Sequence, residues 1–152
     1  MGNHEVTNPA ARLTIQRQML IRRFEDLAAW QEARRLCRMV YCLSDKAEFH
    51  RDFELRAQIR AASVSAMTNL AEGFDNRSKR EFARFLSFSS RSASEVQSLL
   101  YAALDASYIT RDEFATHFEQ ARRVHALIGG LRASINRQIE ASMRPTGARK
   151  PT

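Results

Sequence analysis

The chain has 152 residues (17.4 kDa), enough for one domain with its own hydrophobic core. Its 44% hydrophobic and 27% charged residues are those of an ordinary soluble globule, and no stretch approaches the ~18 uncharged apolar residues of a membrane span. The formal charge of +7, with a sequence pI near 10.2, points towards anionic partners such as nucleic acid.

The first twenty residues, MGNHEVTNPAARLTIQRQML, are polar and carry Glu5 before any apolar run. They lack the charged, apolar and small-residue layout of a secretory signal, so a cytoplasmic protein is expected. Residues 1–23 read as a basic, partly disordered extension, although LTIQRQMLIRRF could form a short helix. The bundle is expected over residues 24–139 and a disordered basic tail over 140–152, where SMRPTGARKPT carries two prolines and little apolar content.

Four segments show helical periodicity, and none of useful length alternates as a strand would. In the first, Leu27, Trp30, Ala33, Cys37, Val40 and Tyr41 form a stripe ending near Leu43, with Asp26 placed as N-cap. Cys37 and Cys42 are ~500° of helical rotation apart, which argues against a mutual disulfide. They form no CxxC pair for zinc or redox chemistry.

A short charged link, LSDKAEFHRD, leads to a second helix over Phe53 to Glu72. Its stripe is Leu55, Ile59, Ala62, Ala66, Asn69 and Leu70, and Gly73 is its expected C-cap. Ala57, Ala61, Ala62, Ser63, Ser65, Ala66 and Ala71 make it a helix of small residues that a neighbour can approach closely.

The third helix opens with Ser78-Lys-Arg-Glu81, a capping box, and ends near Ser107. Its face is Phe82, Phe85, Leu86, Ser89, Ala93, Val96, Leu100 and Ala103. The fourth opens with a second box, Thr110-Arg-Asp-Glu113, followed by Phe114, Phe118, Ala121, Val124, Ile128, Leu131 and Ile135. Gly129-Gly130 inside that stripe predicts close packing or a kink. Short links between amphipathic helices predict an all-α, antiparallel up-and-down four-helix bundle. Met67, Phe88, Leu99, Tyr101 and Leu127 exceed what four stripes need, and self-association is the simplest use for a second apolar face.

The pattern offers little catalytic chemistry. Glu113-x-x-x-His117 is one residue too long for the Glu-x-x-His of a di-iron bundle and occurs once. His125 has no carboxylate at ligand spacing, and His4 and His50 fall in a terminal and a loop segment without partners. No histidine can be related by position to the serines of SFSSRSASE, and there is no glycine-rich phosphate loop. No metal, cofactor or small-molecule substrate is expected.

Six polar residues lie on or beside buried faces: Gln58, Ser65, Asn69 and Glu72 on the second helix, Ser92 and Glu95 on the third. A satisfied polar network would set helix register. A ligand pocket between the helices and a subunit contact are the alternatives.

Charge is distributed unevenly. Residues 24–131 are neutral, with fifteen basic and fifteen acidic side chains, while residues 1–23 carry +3 and residues 132–152 carry +4. Arg12, Arg17, Arg22, Arg23, Arg132, Arg137, Arg144, Arg149 and Lys150 are therefore the candidate phosphate contacts, without base readout. Arginine outnumbers lysine 21 to 3, so an arginine-rich proteome is an alternative source of the same excess.

FEDLAAWQEA, QIRAASVSAMTNLAEGF, SKREFARFL and SASEV, in this order over about residues 24–137, resemble the bacterial four-helix-bundle proteins called 23S rRNA intervening-sequence proteins. The chain departs from that pattern at Ala61, where a second basic residue often follows Arg60, and at Arg91, where a glycine is common. The resemblance implies a non-enzymatic up-and-down bundle that assembles with itself in rings of five. Through a similarity to accessory proteins of diversity-generating retroelements, it also implies contact with RNA or DNA or with a nucleic-acid enzyme. A protein-interaction scaffold, and less readily an enzyme with a pocket near Asn69, Glu72 and Glu95, are the other readings.

Overall fold

A computed structural model describes residues 21–144. A 3-10 turn at Phe24–Asp26 precedes five helices: α1 (Ala28–Leu43), α2 (Ala47–Arg51), α3 (Phe53–Asp75), α4 (Lys79–Asp105) and α5 (Arg111–Met143). No strand occurs among the described residues, so the all-α class holds. The four long helices pack around one core, in which Leu36, Val40, Ile59, Leu70, Leu86, Val96, Leu100, Val124 and Ile128 are fully buried. Burying a large aliphatic side chain contributes about 1.5–3 kcal/mol, so this core is the main source of stability.

Cross-helix contacts show how the helices run. Ser65 meets Ser92, whereas Gly73 meets Phe82 and Phe85; Tyr101 meets Phe114, whereas Ser90 meets His125. Glu32 is bonded by Gln120, and Lys46 by Glu113. In each pair, numbers rise on one helix as they fall on the other.

Asp26 does not cap α1. The capping position is Leu27, which is extended and has no side-chain acceptor. The Asp26 carboxylate instead accepts the backbone N–H groups of Arg22 (3.0 Å) and Arg23 (3.1 Å), closing the preceding turn. Those two bonds, that from Arg22 first, hold its carboxyl below the ordinary value.

The core face of α1 is Ala29, Ala33, Leu36, Val40 and Leu43. Leu27, Ala33 and Val40 of the expected stripe are buried, but Trp30, Cys37 and Tyr41 lie one position round the helix and keep solvent exposure. Both faces are apolar and offset by one residue, so periodicity cannot choose between them.

The link after α1 is more than a charged connector. It contains α2, whose Phe49 is fully buried and packs on Tyr108 with ring centroids 5.6 Å apart. Tyr108 donates its hydroxyl to Asp52 Oδ2 (3.0 Å), and Asp52 Oδ1 caps α3 by accepting Leu55 N–H (3.0 Å). The bond to Asp52 raises the Tyr108 pKa above its ordinary value. Ser107, at φ 61°, carries the reversal between α4 and α5.

Helix α3 does not stop before Gly73 but continues to Asp75. Gly73 is buried there, and a Cβ on it would meet Phe85 Cβ at 2.7 Å and Phe82 Cδ2 at 2.9 Å. It is a glycine because α4 lies against it, with no need for a left-handed turn. At α4 the capping box is half formed. Ser78 Oγ accepts Glu81 N–H (3.4 Å), whereas the Glu81 carboxylate pairs with Arg84 (3.3 Å) and Ser78 N–H goes to Asn76 (3.0 Å).

The Thr110–Glu113 box is complete, each side chain accepting the other residue's N–H at 3.0–3.1 Å. Helix α5 runs unbroken through Gly129-Gly130, where a Cβ would meet nothing within 4 Å, so close packing does not explain that pair. It also passes the expected 139/140 boundary and ends at Met143.

The glycines differ in prediction. Gly73→Ala should destabilise by about 1–3 kcal/mol, because the Phe85 Cβ is carried on backbone and cannot swing away. Gly129→Ala and Gly130→Ala should each stabilise by about 0.5–1 kcal/mol through helix propensity. Denaturant unfolding of the three variants measures both.

Candidate nucleic-acid interface

The polar residues singled out on α3 and α4 divide into two groups. Ser65 Oγ and Ser92 Oγ are 2.8 Å apart across the interface. The Asn69 amide donates to the Ser65 carbonyl (2.8 Å) and hydroxyl (3.0 Å). Beside them Ser89, fully buried, donates its hydroxyl to the Ala66 carbonyl. These bonds form a seam between small residues and fix the register of the two helices.

Gln58, Glu72 and Glu95 lie outside it. All three are exposed, and among the described residues Gln58 reaches only Glu54, at 3.5 Å. Their place beside the stripe was legible, but a one-residue rotation separates a seam position from the surface.

The candidate phosphate contacts among the described residues lie towards one end of the molecule. Arg22 and Arg23 precede the 3-10 turn, which packs on both α1 and α3. Arg132 and Arg137 lie on the last ~18 Å of α5, and Arg144 follows as its C-cap. Arg12, Arg17, Arg149 and Lys150 lie outside the described residues. Arg132 and Arg137 thus belong to a bundle helix rather than to an arm.

The α3–α4 turn brings Arg77, Lys79 and Arg80 to the same end. Arg80 Nη2 lies 3.8 Å from Met143 Sδ, which ties the start of α4 to the end of α5. Those three cations were invisible to a count by segment, because acids nearby in sequence balance them. Arg22, Arg23, Arg77, Lys79, Arg80, Arg132, Arg137 and Arg144 make no ion pair among the described residues.

The opposite end has a different character. Asp45, Glu48, Asp52, Glu54, Asp105, Asp112 and Glu113 gather there, and Lys46 is taken by Glu113, with Nζ 2.6 Å from Oε1. That bond is the main reason the Glu113 carboxyl titrates below its ordinary value, with the Thr110 backbone N–H second.

Other chemistry is sparse. His117 Nδ1 lies 2.6 Å from the Glu113 carbonyl rather than its carboxylate, so Glu113 and His117 do not converge as ligands. Among the described residues no group of three His, Cys, Asp or Glu is placed to hold an ion. Ser90 Oγ is 3.0 Å from His125 Nε2, a pairing that position in the sequence could not reveal. Among the described residues His125 has no second hydrogen bond to orient it as a base. No helix among the described residues is long and apolar enough to cross a membrane.

The family model described as 23S rRNA-intervening sequence protein matches residues 25–130. A solved structure, of a protein of unknown function from the S23 ribosomal protein family of Bacteroides thetaiotaomicron, superposes with a TM-score of 0.64 at 18% identity. The match covers 69% of this chain and 95% of that one, and at this identity it speaks for the fold alone. No curated protein matches the chain.

Two predictions concern the seam and the acidic end. Ser65→Ala should cost about 1–3 kcal/mol, because it removes the partner of Ser92 and one of the two acceptors of Asn69, and Asn69→Ala only about 1 kcal/mol. Denaturant unfolding ranks them.

The folded-state pKa of Glu113 is depressed, so its contribution to stability is present above the unfolded carboxylate pKa. It is lost as pH falls through the folded value. Glu113→Gln keeps the capping geometry and should flatten that acid limb by a few tenths to about 1 kcal/mol, the side chain being partly exposed. Melting temperature against pH from 2 to 7 checks the sign.

Proposed function

The chain belongs to the 23S rRNA-intervening sequence protein family, and from that premise we propose that it is a non-enzymatic, homo-oligomeric helical bundle that contacts nucleic acid through one basic end. One observation carries the reading: eight cations without ion-pair partners among the described residues lie towards a single end, where they outnumber the acids Glu25, Asp26, Glu72, Asp75, Glu81 and Glu140. Unpaired arginine and lysine side chains release counterions when phosphates replace them, which favours binding without base readout. Arg12, Arg17, Arg149 and Lys150 belong to the same proposal, as sequence continuations of the two segments that reach this end.

Self-association, a ring of five in this proposal, has its support on the other side of the bundle. Tyr101 of α4 packs against Phe114 and Phe118 of α5, at 4.7 and 5.7 Å between centroids, yet stays 52% exposed. Covering such a cluster is a common use of a second copy. Repetition of the basic end around a ring would turn weak phosphate contacts into avidity.

The test is binding of labelled RNA and DNA duplexes against salt, with mass measured in solution alongside. The log–log slope should be several units, and Arg132→Gln/Arg137→Gln/Arg144→Gln should lower it by about 2–3 while leaving the fold intact. Salt-insensitive capture of a protein partner, with no binding to either nucleic acid, would replace this reading with a protein-interaction scaffold.

A further inference from the structure

Beside the fully buried face of α1 runs a second, partly exposed stripe. Trp30, Arg34, Cys37, Arg38 and Tyr41 recur at helical spacing, and with Met67 of α3 they wall an open groove of about 560 Å³. Its composition is unusual for an apolar patch, because arginines alternate with aromatic rings. Arg34 lies over the Trp30 ring at 5.8 Å, and Arg60 over Tyr41 at 4.6 Å. Arg34, Arg38 and the adjacent Arg35 make no ion pair among the described residues.

The two aromatics are held in place. Trp30 packs edge-on against Phe24 at 5.1 Å. Arg60 is fixed beneath Tyr41 by its Nε bond to Ser44 Oγ (2.7 Å) and an Nη2 bond to the Tyr41 carbonyl (3.4 Å). The groove also opens towards the basic end, since Phe24 begins the turn that follows Arg22 and Arg23.

Resting on the nucleic-acid reading above, we propose that this groove stacks unpaired bases of RNA. Trp30 and Tyr41 take base faces, Arg34 and Arg38 take the phosphates between them, and the basic end holds the flanking backbone. The rings are eleven positions apart, about 16 Å along α1, a span for several nucleotides rather than one. Paired bases hide their faces within the duplex, so the occupant is single-stranded. Loops and bulges beside a helix are the RNA elements that offer splayed bases together with a continuous backbone. An amphipathic peptide helix fits the apolar floor but leaves the arginines unanswered unless it is also acidic.

Trp30 is the single tryptophan of the chain and reports occupancy directly. The full-length protein is titrated at low salt with an RNA hairpin bearing a pyrimidine loop, with a fully paired RNA of equal length, and with single-stranded DNA of the loop sequence. Trp30 fluorescence and probe anisotropy are followed together. The hairpin should quench Trp30 and the paired RNA should not. Tyr41→Ala should weaken hairpin binding by about fivefold or more and leave paired RNA unchanged. Arg34→Gln/Arg38→Gln, both at exposed positions, should lower the salt slope for the hairpin by about 2.

Binding of both RNAs without quenching, and with no effect of Tyr41→Ala, overturns the groove assignment while the basic-end reading stands. Failure to bind any of the three probes overturns both. Equal quenching by the DNA overturns the choice of RNA, and quenching by an acidic peptide alone reassigns the groove to a protein.

Discussion

The close approach of α3 and α4 is the constraint on which the rest of the molecule depends. At the Gly73 end, glycine packs directly under Phe82 and Phe85 with no room for a methyl group. Further along, Ser63, Ala66, Ser89 and Ala93 are buried between or beside the two helices, and the Ser65–Ser92–Asn69 seam joins them. Small side chains lose little entropy on burial and allow dense backbone packing, but they supply few directional contacts. The hydroxyl and amide bonds supply that direction, since a slip of one residue would leave buried polar atoms unpaired.

Because α3 and α4 are locked in register, the turn between them has a defined place. Arg77, Lys79 and Arg80 are delivered to the end where the 3-10 turn begins α1 and where α5 finishes. The charge polarity of the molecule is thus a product of packing. At the far end Asp52 caps α3 and Glu113 pairs with Lys46.

The same packing decides which side of α1 is core. That helix carries two apolar stripes one residue apart. The side that presents Ala29, Ala33 and Leu36 fits against α3 and α5, leaving Trp30 half-buried at the margin of the core and Tyr41 exposed. The bulkier stripe lies at the margin of the core, contrary to a reading by hydrophobicity alone, because volume complementarity and not residue size selects the fully buried face. Tyr101, part of the apolar surplus on α4, packs on Phe114 and Phe118 of the same chain and still stays exposed.

The amino-acid sequence by itself determined the all-α class, three of the four long helices to within a few residues, the Thr110–Glu113 box, and the presence of a polar set on the α3–α4 interface. These are local properties, set by 3.6-residue periodicity and by backbone N–H groups that a nearby side chain satisfies. Tertiary structure alone decided the role of Gly73, the anchoring of the α1–α3 link by Phe49, the exclusion of Gln58, Glu72 and Glu95 from the seam, and the gathering of cations at one end. Each depends on which residues of a distant helix come within a few ångströms, and that is settled by how four helices share one core.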